Sequence, residues 1–79
     1  MKQITLYSRH FCGWCLDAKE YLKAHNLAFT EIDVGKDVAA NEEMIRLSGQ
    51  HYVPTIVIDG KVLANFDTGQ LEAFLKQIG

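Results

Sequence analysis

No stretch of the 79-residue sequence is long and apolar enough to cross a membrane, which takes about 20 consecutive apolar residues. Lys2 is followed directly by strand-like sequence, so no secretory signal is expected either. Basic clusters are lacking: 8 Lys and Arg face 10 Asp and Glu, for a net charge of −2. That balance argues against a nucleic-acid or membrane-surface role. Proline occurs once, and no linker, repeat or low-complexity segment interrupts the chain. One small domain over residues 1–79 is therefore expected, acting as a monomer. A chain of this length buries roughly 60% of its unfolded surface, enough for a modest core.

Cysteine is scarce, and its spacing is the most informative feature. Cys12 and Cys15 form a single C-x-x-C, with Gly13 and Trp14 between them. No second C-x-x-C and no H-x₃₋₅-H accompanies the pair, and His10, His25 and His51 are scattered, so no metal is assigned. As a structural staple the motif is poor, since so short a loop gains only about 2 kcal/mol. Two cysteines in an untargeted chain suggest a reducing compartment, the cytoplasm, where such a motif is more often catalytic than structural.

Its surroundings sharpen this reading. Ile4-Thr5-Leu6-Tyr7 reads as a short buried strand, and Leu16 to His25 as a helix with Cys15, Ala18, Leu22 and His25 at helical spacing. Cys12 then falls at or just before the first helical turn, where free amides and the helix dipole stabilise an anion. Cys15 lies one turn further on the same face. The pattern builds a nucleophile at Cys12 with a resolving thiol in reach; Arg9 and His10 add positive potential. Trp14, beside the thiols, is expected to stay partly exposed as a platform for substrate.

Downstream, Ala28 to Asp33 alternates as a second strand, which a β-α-β unit makes parallel to the first. Val38 to Leu47 reads as a second helix closed by Ser48-Gly49. Val53 to Ile58 is a third strand entered through Pro54; Asp59-Gly60 is a hairpin signal, and Lys61 to Ala64 returns antiparallel. Thr68 to Ile78 is the last helix, with Leu71, Phe74, Leu75 and Ile78 on one face and Thr68 as its N-cap. The order β-α-β-α-β-β-α predicts an α/β domain, a four-stranded mixed sheet with three helices on its faces.

This order, with C-x-x-C opening the first helix and Val53-Pro54 at the third strand, resembles the glutaredoxins over essentially the whole chain. Tyr7-Ser8-Arg9, Glu43-Met44-Ile45, Ser48-Gly49, Ile58-Asp59-Gly60-Lys61 and Phe66-Asp67 carry the likeness further. The resemblance implies a thioredoxin fold and electron exchange between glutathione and protein or low-molecular-weight disulfides. By the same token Cys12 is the nucleophile and Cys15 the resolving thiol. Arg9 and Gln50 would meet the glycine carboxylate of glutathione. Val53 would pair its backbone with the substrate ahead of a cis Pro54, and Asp67 and Thr68 would hold the γ-glutamyl end. No tightly bound cofactor is implied; glutathione is a co-substrate.

Three departures bear on that partner. Gly13-Trp14 replaces the family's usual Pro-Tyr, Tyr52 replaces a small hydroxyl residue, and Ala64-Asn65-Phe66-Asp67-Thr68 replaces Gly-Gly-x-Asp-Asp. They predict a weakened glutathione pocket. Two alternatives stay open: a glutaredoxin-like protein served by thioredoxin reductase or another small thiol, and an iron–sulfur carrier of the kind that lacks proline after the first cysteine. A redox-sensing module without turnover is a further class.

Overall fold

The computed structural model describes residues 3–10 and 12–78, so Phe11, the residue before the C-x-x-C, lies outside the described residues. The elements run β1 (Ile4–Ser8), α1 (Gly13–Ala24), β2 (Thr30–Asp33), α2 (Val38–Ser48), β3 (Thr55–Ile58), β4 (Lys61–Ala64) and α3 (Thr68–Ile78). The strands form one sheet in the order β2-β1-β3-β4. β1 is parallel to β2 and antiparallel to β3, and β3 is antiparallel to β4. This is the mixed sheet expected from the element order, and it is a thioredoxin fold.

Strand alternation divides the core between the two faces of the sheet. Ile4 and Leu6 of β1 pack with Ala18 and Leu22 of α1, Leu71 of α3, and Ile56 and Ile58 of β3. Tyr7, pointing the other way, packs with Ala40 and Met44 of α2 and with Val34. Leu22, Met44 and Leu71 are fully buried, so trimming any of them to alanine should cost about 2–5 kcal/mol. Phe66, which no periodicity marked as core, is also buried and completes the first cluster.

The element ends differ from the expectation in ways with local causes. α1 begins at Gly13 rather than Leu16, because Cys12 is itself the N-cap: its backbone is extended and its sulfur accepts from the Cys15 amide. β2 begins at Thr30, where its ladder with β1 starts, rather than at Ala28. β3 begins at Thr55 rather than Val53, since Pro54 has no N–H for the ladder and its carbonyl is taken by the Asn65 amide at 2.8 Å. The N-cap of α3 is Asp67, not Thr68. Asp67 Oδ1 accepts from the Gln70 amide at 2.8 Å, and Gln70 Oε1 accepts from the Asp67 amide at 3.0 Å, a reciprocal capping box.

Two turns match the sequence closely. Gly49 closes α2 in the left-handed conformation at φ 73°. Asp59 and Gly60, at φ 51° and 85°, give the turn whose twist suits the hairpin between β3 and β4.

Candidate functional site

The β1–α1 junction brings the two cysteines together. Cys12 is partly exposed at the cap of α1, while Cys15 is 1% exposed. Both are free thiols. The Cys15 amide donates to Cys12 Sγ at 3.2 Å, one of the unpaired N–H groups of the first helical turn turned on the sulfur. This bond and the helix dipole favour negative charge on Cys12. Burial pushes the Cys15 thiol up to about 12, and its hydrogen bond with Cys12 and the nearby Cys12 charge add to that rise. The Arg9 backbone amide and the Lys19 ammonium pull the other way. The two thiols thus differ: one sits at the helix cap with an amide on its sulfur, and the other is buried and held to its proton.

A cleft of about 720 Å³ opens beside them, lined by Arg9, His10, Cys12, Cys15, Lys19 and Glu31 among others. Glu31 at the sheet edge accepts from the buried Ser8 hydroxyl at 2.9 Å and pairs with Lys19 at 3.0 Å. The Lys19 bond, opposed by burial and helped by Ser8, holds the Glu31 carboxyl below its ordinary range. His10 Nδ1 lies 2.9 Å from Asp33 Oδ2, so its ring is engaged with the end of β2. Lys19, one helical turn after Cys15, and Glu31, on an exposed strand position, were not among the residues singled out in the sequence. Their signal is the i, i+4 spacing from Cys15 and the edge-strand acid facing it.

Trp14 is 56% exposed in the first turn of α1, matching the partial exposure expected of it. Arg9 is exposed and its guanidinium donates to Asn41 Oδ1 of α2 at 3.4 Å. The Val53–Pro54 peptide bond is cis. Because Tyr7 pairs with Thr55, the Val53-Pro54 segment sits at the same sheet end as the strand exit leading to Cys12. Asp67 and Thr68 are exposed at the start of α3, where one Asp67 carboxylate oxygen is committed to the cap. Gln50 has its carboxamide bonded within the chain, to Ser48, Tyr52 and Thr55. Among the described residues no three His, Cys, Asp or Glu side chains gather as a metal set. No helix among them is long and apolar enough to cross a membrane.

Comparison with known proteins agrees with this geometry. The family model described as Glutaredoxin matches residues 4–63. An uncharacterized glutaredoxin-like 8.6 kDa protein in the rubredoxin operon of Clostridium pasteurianum is 38% identical, over 94% of this chain and 99% of its own. Glutaredoxin 3 of Escherichia coli strain K12 is 33% identical, over 85% of this chain and 81% of its own. Among solved structures, the thioredoxin-like protein BC3987 superposes with a TM-score of 0.83 at 38% identity, covering 90% of this chain and 97% of that one. With a C-x-x-C capping its first helix and a cis-proline at the neighbouring strand, the chain belongs to the glutaredoxin family of redox proteins.

Proposed function

We propose that the protein is a dithiol thiol–disulfide oxidoreductase that reduces protein or low-molecular-weight disulfides, with glutathione as its reductant. The Cys12 thiolate attacks one sulfur of the substrate disulfide, forming a mixed disulfide and expelling the other sulfur as a thiolate, which takes up a proton. Cys15 then gives up its proton and attacks Cys12 Sγ, releasing the second substrate thiol and leaving a Cys12–Cys15 disulfide. Two glutathione thiols restore the pair: one forms a mixed disulfide with Cys12, and the second releases oxidised glutathione. The observation that carries the reading is the asymmetry of the thiols, with Cys12 capped by the Cys15 amide at 3.2 Å and Cys15 buried behind it. A monomer in a reducing compartment such as the cytoplasm fits this cycle.

A second reading keeps the exchange and changes the reductant to a flavoprotein reductase such as thioredoxin reductase. It is favoured by the side chains that glutathione would need: Gln50 is turned inward, Asp67 caps α3, and Thr68 carries no charge. The experiment compares reduction of a generic disulfide by glutathione with glutathione reductase against thioredoxin reductase alone. Turnover with the first system supports the glutathione reading, and turnover with the second alone replaces it. Failure with both overturns the enzyme assignment.

A further inference from the structure

We propose that Gln50 is a positioning residue whose carboxamide clamps the Tyr52-Val53-Pro54 segment to α2 and β3, holding the Val53 backbone ready to pair with an extended substrate. The inference rests on the disulfide-exchange reading above. Gln50 Nε2 lies 3.0 Å from Ser48 Oγ, 3.1 Å from Thr55 Oγ1 and 3.2 Å from the Tyr52 carbonyl. Gln50 Oε1 accepts from the Tyr52 amide at 2.6 Å. One side chain therefore holds both backbone groups of Tyr52.

The direction of each proton is fixed by its neighbours. Ser48 Oγ donates its hydrogen to a carbonyl, with Met44 O at 2.6 Å and Gln50 O at 2.9 Å. Thr55 Oγ1 donates to the Tyr52 carbonyl at 2.9 Å. Each hydroxyl is left with lone pairs facing Gln50, so the amide nitrogen must face them and the amide oxygen must face the Tyr52 N–H. Thr55 is fully buried, which makes this arrangement costly to disturb. A glutamate in the same place could accept from Tyr52 but could donate to none of the three acceptors.

The clamp acts beside other holds on the segment, since Val53 packs against the second core cluster and the Asn65 amide takes the Pro54 carbonyl. Tyr52 is 57% exposed, with its ring against His51 instead of in the core. Its backbone precedes the cis peptide, and the Tyr7–Thr55 pairing sets that stretch beside the exit of β1 toward Cys12. A substrate that adds a strand there needs the Val53 N–H and C=O in a fixed direction.

The test uses the full chain with Gln50→Glu and Gln50→Ala, each reduced beforehand and freed of reductant so that no glutathione enters the exchange; KM and kcat are then the half-saturating concentration and limiting rate of the single turnover. Three disulfides are compared: a peptide dimer acetylated and amidated at its ends, which has a backbone but no terminal carboxylate, the same dimer with free C-terminal carboxylates, and hydroxyethyl disulfide, which has neither backbone nor carboxylate. The clamp predicts a KM for both peptide dimers raised about tenfold or more, with kcat and hydroxyethyl disulfide reduction within about twofold of wild type. An unchanged peptide KM overturns it, as does equal loss on all three substrates. Loss confined to peptides with a free carboxylate would make Gln50 a direct ligand contact instead. Exchange of the Tyr52 amide proton gives a readout independent of turnover, expected to quicken at least about tenfold in Gln50→Ala, which removes its acceptor. An unchanged exchange rate overturns the clamp, whereas a wild type inactive toward every disulfide counts against the exchange reading alone.

Discussion

The amide of Cys15 points at the sulfur of Cys12 from 3.2 Å, so in the proposed cycle the resolving residue donates a hydrogen bond to the attacking one. Position in the helix divides the labour between two chemically identical side chains. The cap residue faces solvent and the helix amides. The residue one turn in is buried, and its thiol is pushed up to about 12 by that burial and by Cys12.

Alkylation should read this division directly. At neutral to mildly alkaline pH, iodoacetamide should modify the reduced native protein once, on Cys12, because the thiolate is the reactive form. Cys15 should react only after denaturation. Mass spectrometry of peptides from native and unfolded samples checks it, and equal labelling of both cysteines in the native protein would contradict it.

Glu31 ties part of the stability to acid pH. Its carboxyl is lowered from the ordinary 4.5 by the Lys19 hydrogen bond, with Ser8 assisting. A group lowered in the folded state stabilises the fold above its ordinary value and loses that contribution as pH falls through the folded value. The stability difference between wild type and Glu31→Gln should therefore shrink as pH falls below 4.5. Urea unfolding across that range measures it, and a pH-independent difference would show that the Lys19–Glu31 pair contributes nothing.

The capping box of α3 should outweigh its neighbour. Asp67→Ala should cost about 0.5–2 kcal/mol. For a domain of this size each kcal/mol lowers Tm by roughly 4–8 °C. Thr68→Ala should cost less, since Thr68 is the first helical residue and not the cap. Gln70→Ala combined with Asp67→Ala should fall short of additivity, because the two residues share one pair of bonds. Thermal unfolding showing Thr68→Ala as the costlier change would restore the cap to Thr68.

Glutathione use should be open to improvement at one end of its site. The ammonium of the γ-glutamyl group needs an acid, and Thr68 is neutral where the family's second acid would stand. Adding one charge-assisted hydrogen bond is worth about 1.5–3 kcal/mol, roughly 10- to 150-fold in affinity. Thr68→Asp should accordingly lower the glutathione concentration for half-maximal rate, and Arg9→Ala should raise it from the glycine end. A wild type that saturates like an ordinary glutaredoxin and does not respond to Thr68→Asp would show that the pocket is not weakened.

The architecture was legible because local signals and long-range order agreed. The Asp59-Gly60 turn fixed one antiparallel pair, and the β-α-β unit fixed the parallel one. Cys12 and Cys15 were legible because their chemistry depends on spacing and on a helix start, both of which a sequence displays. The α3 cap was misplaced because Asp67 and Thr68 are both good capping residues, and only the side chain of Gln70 decides between them. The contacts of Gln50 were illegible for a similar reason. Its inward turn depends on Ser48 and Thr55, which lie two residues before it and five after, on either side of a loop whose path no periodicity reports. The Ser8–Glu31–Lys19 group beside Cys15 joins three different elements and appears only once β1, β2 and α1 are packed together.

The measurement that tests the central claim most directly is trapping with single cysteine variants. Reduced Cys15→Ser, mixed with a disulfide substrate, should accumulate a stable mixed disulfide on Cys12, visible as one added substrate mass in the intact protein. Reduced Cys12→Ser should form none and should have no turnover. Adduct formation on Cys15 in the Cys12→Ser variant, or equal loss of reactivity in the two variants, would contradict the assignment of Cys12 as the attacking and Cys15 as the resolving thiol.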